Sequence, residues 1–218
     1  MAFWKKYVFL QALFLTIVML IIGIYLGIIF EKNQIDNMES FYSQSEISLI
    51  DIVALNNLID AKNISCSVLK KASFDFADRI YEEALLLEDY EKSGKITENI
   101  KSVHTKYDLL RTFLWMNSIK IKNQCPSHFS SVVYLYNYST EDLTQKAEQS
   151  VWSKVLYELK SSNSDKILLI PISVDQSLVS LDSLKNDFNI TNYPVVIINE
   201  KKVIYSISSV SDLEKYII

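Results

Sequence analysis

The chain is poor in the residues that turn, break and bind. Its 218 residues hold three Gly, three Pro, two Cys and two His. Gly23 and Gly27 fall in an apolar run near the start, so the remainder must turn mainly on Asn, Ser and Asp. No Gly-rich phosphate loop, Ser/His/Asp set or paired-carboxylate signature stands out. A metal set built from Cys66, Cys125, His104 and His128 has the spacing of no zinc pattern. Neither a metal nor a cofactor is therefore expected. A basic surplus is also missing: 22 Lys and Arg face 26 Asp and Glu, for a net charge of −4. With no basic patch, nucleic acid is not an expected partner. The length allows one or two modest domains, and there is no internal repeat or low-complexity linker.

What is present begins with Tyr7 to Phe30, a run without a charge. At about 1.5 Å per residue it is long enough for a hydrocarbon core of about 30 Å. The rival is a signal peptide. The run is longer than a usual signal-peptide core, and Gly27 to Phe30 followed by Glu31-Lys32 has no small-x-small cleavage site. An uncleaved signal anchor is the expectation. Lys5 and Lys6 precede it, while Glu31 and Lys32 nearly cancel after it. The positive-inside bias then predicts a cytoplasmic N-terminus, with the rest of the chain extracytoplasmic. Gly23 and Gly27 form a G-x-x-x-G pair that would let helices approach closely, so a homodimer is an open alternative.

From Ile35 to Ile121 the periodicity is helical. One helix is expected over about Asn33 to Ala61. A second is expected over Ser67 to Lys92, with Leu69, Ala72, Phe76, Ile80, Ala84 and Leu87 on one face. Ser93-Gly94-Lys95 is the break. A third is expected over Thr97 to Ile119, where Ile96, Ile100, Val103, Tyr107, Leu110 and Leu114 alternate in a coiled-coil-like seam. The second and third should form an antiparallel hairpin, part of a helical stalk or small bundle. Cys66 opens the second helix and Cys125 lies just past the third, nearly equidistant from Gly94. Both fall at the open end of such a hairpin, so a Cys66–Cys125 disulfide is predicted. Cys125-Pro126-Ser127-His128 also has the C-P-x-H form of a variant redox motif.

The C-terminal third reads differently. Lys166 to Asp175 is a β-rich run with Pro171 inside it. Such a nearly continuous apolar run suits a strand covered on both faces, and Pro171 should sit at a bulge or an edge. Gln176 to Phe188 is a helix, carrying Leu178, Leu181, Leu184 and Phe188 on one face. Val195 to Asn199 and Val203 to Ile207 are strands joined through Asn199-Glu200-Lys201-Lys202, and Val210 to Ile218 is a closing helix.

The succession Val174-Asp175, helix, Phe188-Asn189-Ile190, Tyr193-Pro194-Val195 and two short strands resembles the second half of a thioredoxin-like domain. The resemblance covers roughly 130–218 and makes Ser131 to Tyr138 the first core strand and Glu141 to Leu159 the first core helix, with Ser139 or Thr140 as its N-cap. It implies a mixed central sheet and a cis proline at Pro194 that faces the active site. It also marks Tyr193 and Pro194 as a partner-binding edge. The redox members of that family carry Cys-x-x-Cys between the first strand and first helix. Here that place reads Asn137-Tyr138-Ser139-Thr140-Glu141-Asp142-Leu143-Thr144, without a thiol.

The expected architecture is α/β in three parts: 1–32 as cytoplasmic tip and transmembrane anchor, 33–122 as extracytoplasmic helices, 123–218 as the thioredoxin-like domain. The expected function is a membrane-anchored, non-catalytic interaction or accessory module with a protein partner of the envelope or secretory pathway. The alternatives are an atypical thiol–disulfide oxidoreductase or isomerase using Cys66 and Cys125, and a structural membrane dimer. Asn63, Asn137 and Asn189 head N-x-S/T triplets, candidate glycosylation sites if the domain lies outside.

Overall fold

The computed structural model describes residues 2–61, 65–92, 98–125, 129–207 and 209–217. By contact the chain divides into two units, Met1–Phe41 and Tyr42–Ile218. Helix α1 runs Ala2–Ala61. The anchor and the helix expected from Asn33 are thus one continuous element. No Gly or Pro falls between Phe30 and Ala61 to stop it. Within the first unit, Tyr7–Phe30 is long and apolar enough to cross a membrane by length and composition, and none of it is buried. A Cβ added at Gly23 or Gly27 would meet nothing within 4 Å.

The second unit is mixed α/β. Helices α2 (Cys66–Lys92) and α3 (Glu98–Gln124) pack together. Cys66 and Cys125 are bonded, with Cα atoms 5.7 Å apart. The bridge joins the first residue of α2 to the residue after α3, so the two helices are antiparallel. The expected break at Ser93-Gly94-Lys95 lies outside the described residues. Leu69, Phe76 and Ile80 of α2 and Val103, Tyr107, Leu110 and Leu114 of α3 are buried, as their spacing predicts. α3 runs a turn past the expected Ile119. Ile121, two turns beyond Leu114, is wholly buried and continues the same face. Arg79 Nη1 donates to Ser48 Oγ and ties α2 to the 42–61 part of α1.

The rest follows as β1 (Ser130–Tyr136), α4 (Leu143–Ser162), β2 (Ile167–Ser173), α5 (Val179–Asp187), β3 (Val195–Ile198), β4 (Lys202–Ile204) and α6 (Ser211–Glu214). The four strands form one sheet in the order β2-β1-β3-β4. β1 and β2 are parallel, while β3 runs antiparallel to β1 and β4 antiparallel to β3. Alternation along the strands separates two faces. Val132, Tyr134, Ile167, Val196 and Ile198 meet Trp152, Leu156 and Leu159 of α4 and Leu213 of α6. On the opposite face Val133, Leu135, Leu168, Ile170, Ile172, Val195 and Ile197 are equally buried. α3 lies on that side: its Lys122 Nζ donates to Ser131 Oγ at 3.1 Å, and its Trp115 stacks on Phe188 beyond α5 with centroids 5.5 Å apart.

Pro171 lies on β2, an edge strand, where a missing N–H is tolerated. α2 packs along that strand. Its Phe74 meets Phe129 edge-on at 5.8 Å, and Lys160 of α4 sits 4.9 Å over the Phe74 ring. Covering an edge in this way removes a template for strand addition. Packing therefore runs across position 122, and hairpin and sheet share one compact unit.

Three local expectations change. The N-cap of α4 is Asp142, whose carboxylate accepts from Thr144 N at 2.8 Å and Gln145 N at 3.4 Å. Ser139 and Thr140 are not caps, because the chain needs the residues up to 141 to leave β1. The closing helix is only Ser211–Glu214, and β4 stops at Ile204. The β3–β4 turn places Asn199 and Glu200 at φ of 54° and 55° without a glycine. That conformation costs a non-Gly residue about 1–2 kcal/mol. Lys122 offsets it by donating to Asn199 Oδ1 at 2.6 Å and Glu200 Oε2 at 3.0 Å. The Tyr193–Pro194 bond is cis.

The disulfide closes a loop with a sequence separation of 59. On the chain-entropy account such a closure contributes about 4 kcal/mol. The Cys66→Ser/Cys125→Ser chain is expected to lose about that much in denaturant unfolding. Its m-value should rise, because the unfolded chain exposes more surface. An unchanged midpoint would show that hairpin packing alone sets the stability.

Candidate functional site

The candidate site lies where β1 and β2 end and β3 begins. Parallel strands with crossover helices leave a crevice at their carboxyl ends, and ligands of open α/β sheets bind there. Residues 137–142 leave β1, residues 174–178 leave β2, and Tyr193-Pro194 enters β3. Gln145 Nε2 of α4 donates to Tyr193 O at 3.1 Å. Lys185 of α5 lies near the Tyr193 side chain, and its Nζ lies 2.7 Å from Asp182 Oδ1. α4 thus holds the Tyr193-Pro194 segment and α5 lies beside it, with Pro194 buried and Tyr193 half-buried.

The loop after β1 is tied down from within. Asp175 Oδ2 accepts from Tyr138 N, from Ser139 N at 3.2 Å and from Ser173 Oγ at 2.9 Å. Gln149 Oε1 accepts from Asn137 N at 2.8 Å, and Thr140 Oγ1 from Asp142 N at 3.3 Å. A carboxylate that gathers consecutive amides holds a loop as an anion would. Those amides are therefore not directed at an outside oxyanion. Around this rigid loop, Leu143 is 78% and Val179 85% exposed, and Tyr138 is exposed as well. Leu143 and Val179 open α4 and α5, the helices that follow β1 and β2, so the topology puts both at this end of the sheet.

Under the loop, α3 presents His104, Asp108 and Arg111 at i, i+4 and i+7. The His104 ring packs on Tyr138 with centroids 4.4 Å apart. Asp108 is 1% exposed; its Oδ1 accepts from Ser173 N at 3.0 Å and lies 3.5 Å from Arg111 Nη1. Asp108 Oδ2 and Arg111 Nε, both buried, have no hydrogen-bond partner among the described residues. Burial pushes the Asp108 carboxyl above the usual carboxylate range, against the pull of Arg111. Burial also raises the Tyr136 hydroxyl, against the pull of the nearby Arg111 charge.

The disulfide sits elsewhere. Cys125 precedes β1, whereas the loop and Pro194 lie at the far end of that strand of seven residues. At about 3.3 Å per residue the strand separates them by roughly 20 Å. Pro126, Ser127 and His128 lie outside the described residues, as does Asn63. Asn137 is half-buried, and Asn189 is exposed with φ of 53° after α5. No group of three His, Cys, Asp or Glu placed to hold a metal occurs among the described residues. A separate apolar groove of about 290 Å³ is lined by Glu46, Leu49, Ile50, Val53, Leu109, Leu110 and Phe113.

Sequence reasoning missed Asp108, Arg111, Ser173 and the part played by Asp175. The available signal was Asp108 itself, a charge between Tyr107 and Leu110, both buried on the same helix.

Asp175→Ala removes the acceptor of two amides and one hydroxyl. Since Asp175 is exposed, the cost should be modest, about 1–2 kcal/mol. The diagnostic readout is amide exchange: protection at Tyr138 and Ser139 should fall while that of the β1 amides stays. Uniform loss would mean that the loop is not separately held. Compared with family models, curated proteins and solved structures, the chain matches none.

Proposed function

We propose that the chain is a single-pass membrane protein, N-terminus cytoplasmic, whose extracytoplasmic thioredoxin-like part is a non-catalytic interaction or accessory module. The observation that carries this reading is the loop 137–142. It occupies the position of the family's dithiol, has no thiol, and has its amides engaged by Asp175, Gln149 and Thr140. A loop so satisfied offers a fixed surface rather than a reactive group. The order β1–α4–β2, α5, β3–β4, α6 supports the resemblance, since it follows the succession that the resemblance asks for. Tyr7–Phe30 supports the anchor, and Lys5-Lys6 before it supports the orientation. The Cys66–Cys125 bond supports an oxidising compartment.

The protein partner would dock on the edge formed by Tyr138, Leu143, Val179 and Tyr193-Pro194. Exposed apolar side chains on a rigid frame need little ordering on binding, which favours affinity. The oxidoreductase reading is disfavoured by the distance between the bridge and this edge. A homodimer through Gly23 and Gly27 is compatible with the docking role and is tested separately by Gly23→Leu.

Photo-crosslinkers placed at Leu143 and Val179 in native membranes should capture one discrete protein, while one at Tyr157 on the outer side of α4 should not. Equal capture from all three positions, or none, would sink the docking reading. Alkylation of intact membranes before and after reduction should find both thiols blocked until reduction. Two free thiols would overturn the orientation.

A further inference from the structure

Ser173, the last residue of β2, is held by two carboxylates at once. Its N–H donates to Asp108 Oδ1 at 3.0 Å and its Oγ–H to Asp175 Oδ2 at 2.9 Å. Asp175 in turn holds Tyr138 N and Ser139 N. A continuous polar chain therefore runs from Arg111 and Asp108 on α3, through Ser173, to the loop after β1. Its buried end is incomplete: among the described residues Asp108 Oδ2 has no donor, and Arg111 lies at 3.5 Å. A buried carboxylate with one bare oxygen carries a desolvation cost that a single distant partner does not repay.

We infer that Asp108 is a proton-operated latch between α3 and the loop carrying Tyr138 and Ser139, its folded, closed arrangement favoured when Asp108 is protonated. A proton from solvent placed on Oδ2 removes the buried charge. Oδ1 continues to accept from Ser173 N. The repulsion between Asp108 and Asp175 across Ser173 ends. Arg111 loses its counter-charge and stays beside the Tyr136 hydroxyl. The groups facing Asp108 are Arg111 and His104 on α3, Tyr136 at the end of β1, and Asp175 beyond β2. Burial disfavours the charged form and outweighs Arg111, the Ser173 N–H and His104, which favour it; Asp175 also disfavours it.

The sign follows from linkage. A carboxyl raised on folding penalises the fold once pH exceeds its folded value, and the penalty fades as pH falls toward the unfolded value. Across that window the folding equilibrium strengthens by up to tenfold per pH unit of acidification. Ordinary acid destabilisation runs the other way. The latch stands on this geometry alone; only its consequence, a docking edge that stiffens on mild acidification, rests on the function proposed above.

The test uses the full chain in detergent micelles between about pH 4 and 8, a range above the unfolded carboxyl value. Two quantities are read: the unfolding midpoint, and the exchange protection of Tyr138 and Ser139 corrected for intrinsic rates. Both should rise as pH falls. Asp108→Asn keeps the Ser173 acceptor without the charge, and should hold both near the acidic wild-type level with no slope. Arg111→Gln should move the midpoint profile to higher pH, and Asp175→Asn to lower pH. A flat wild-type profile, or one that Asp108→Asn leaves in place, overturns the latch. Should Asp108→Asn not fold, the opposite displacements by the other two variants decide, and their absence overturns it equally. If crosslinking at Leu143 and Val179 fails while the profile behaves as expected, the docking reading falls and the latch stands.

Discussion

The structure of residues 42–218 depends on covering β1 from both sides. Val132 and Tyr134 point to one face, Val133 and Leu135 to the other, and all four are buried. α4 comes from the same β1–α4–β2 unit and covers the first face. α3 comes from the helical segment and lies on the second. At about 25 cal/mol per Å² of apolar surface, leaving that face in water would remove much of the stability of a small domain. The Cys66–Cys125 bond acts at this joint. It ties the start of α2 to the end of α3, a few residues before β1 begins, so α2 is held near that joint in the unfolded chain as well.

A helix laid over a sheet must also satisfy the strand ends. α3 does so with one polar residue near its C-terminal end and one near its middle. Lys122 reaches Ser131, Asn199 and Glu200 at the start of β1 and in the β3–β4 turn. Burial lowers the Lys122 ammonium while Glu200 opposes the shift, as for a cation drawn into a joint and paired there. Asp108 reaches Ser173 at the end of β2. The two contacts differ in completeness. Lys122 has an acceptor for each of its three ammonium protons, whereas Asp108 keeps an oxygen without a donor among the described residues. Proteins retain such under-satisfied groups mostly where the environment of one atom matters. Here the under-satisfied end is the one beneath the candidate edge.

That edge joins rigidity with exposed apolar surface. Asp175, Gln149 and Asp142 absorb backbone donors that would otherwise need water or a ligand. Leu143 and Val179 remain almost fully exposed at the first positions of their helices. A helix start needs a cap but no apolar residue, so neither side chain is there for its own helix.

By itself the sequence determined what depends on periodicity and on chain distance. The uncharged run Tyr7–Phe30, the apolar faces of α2 and α3, the strands around Val132, Ile170 and Val196, and the pairing of two cysteines about Gly94 are all local or nearly local patterns. Such patterns survive whatever the rest of the chain does. Tertiary structure alone decided where the hairpin goes. An apolar face does not specify its partner, and the seam of α3 suited another helix as well as a sheet. It also decided the cap of α4. Asp142 rather than Ser139 or Thr140 serves, because Asp175, distant in sequence, holds Tyr138 and Ser139 in the loop. The chain Arg111–Asp108–Ser173–Asp175 was out of reach for the same reason. Its members come from α3 and from the end of β2, and only folding brings them within hydrogen-bonding range.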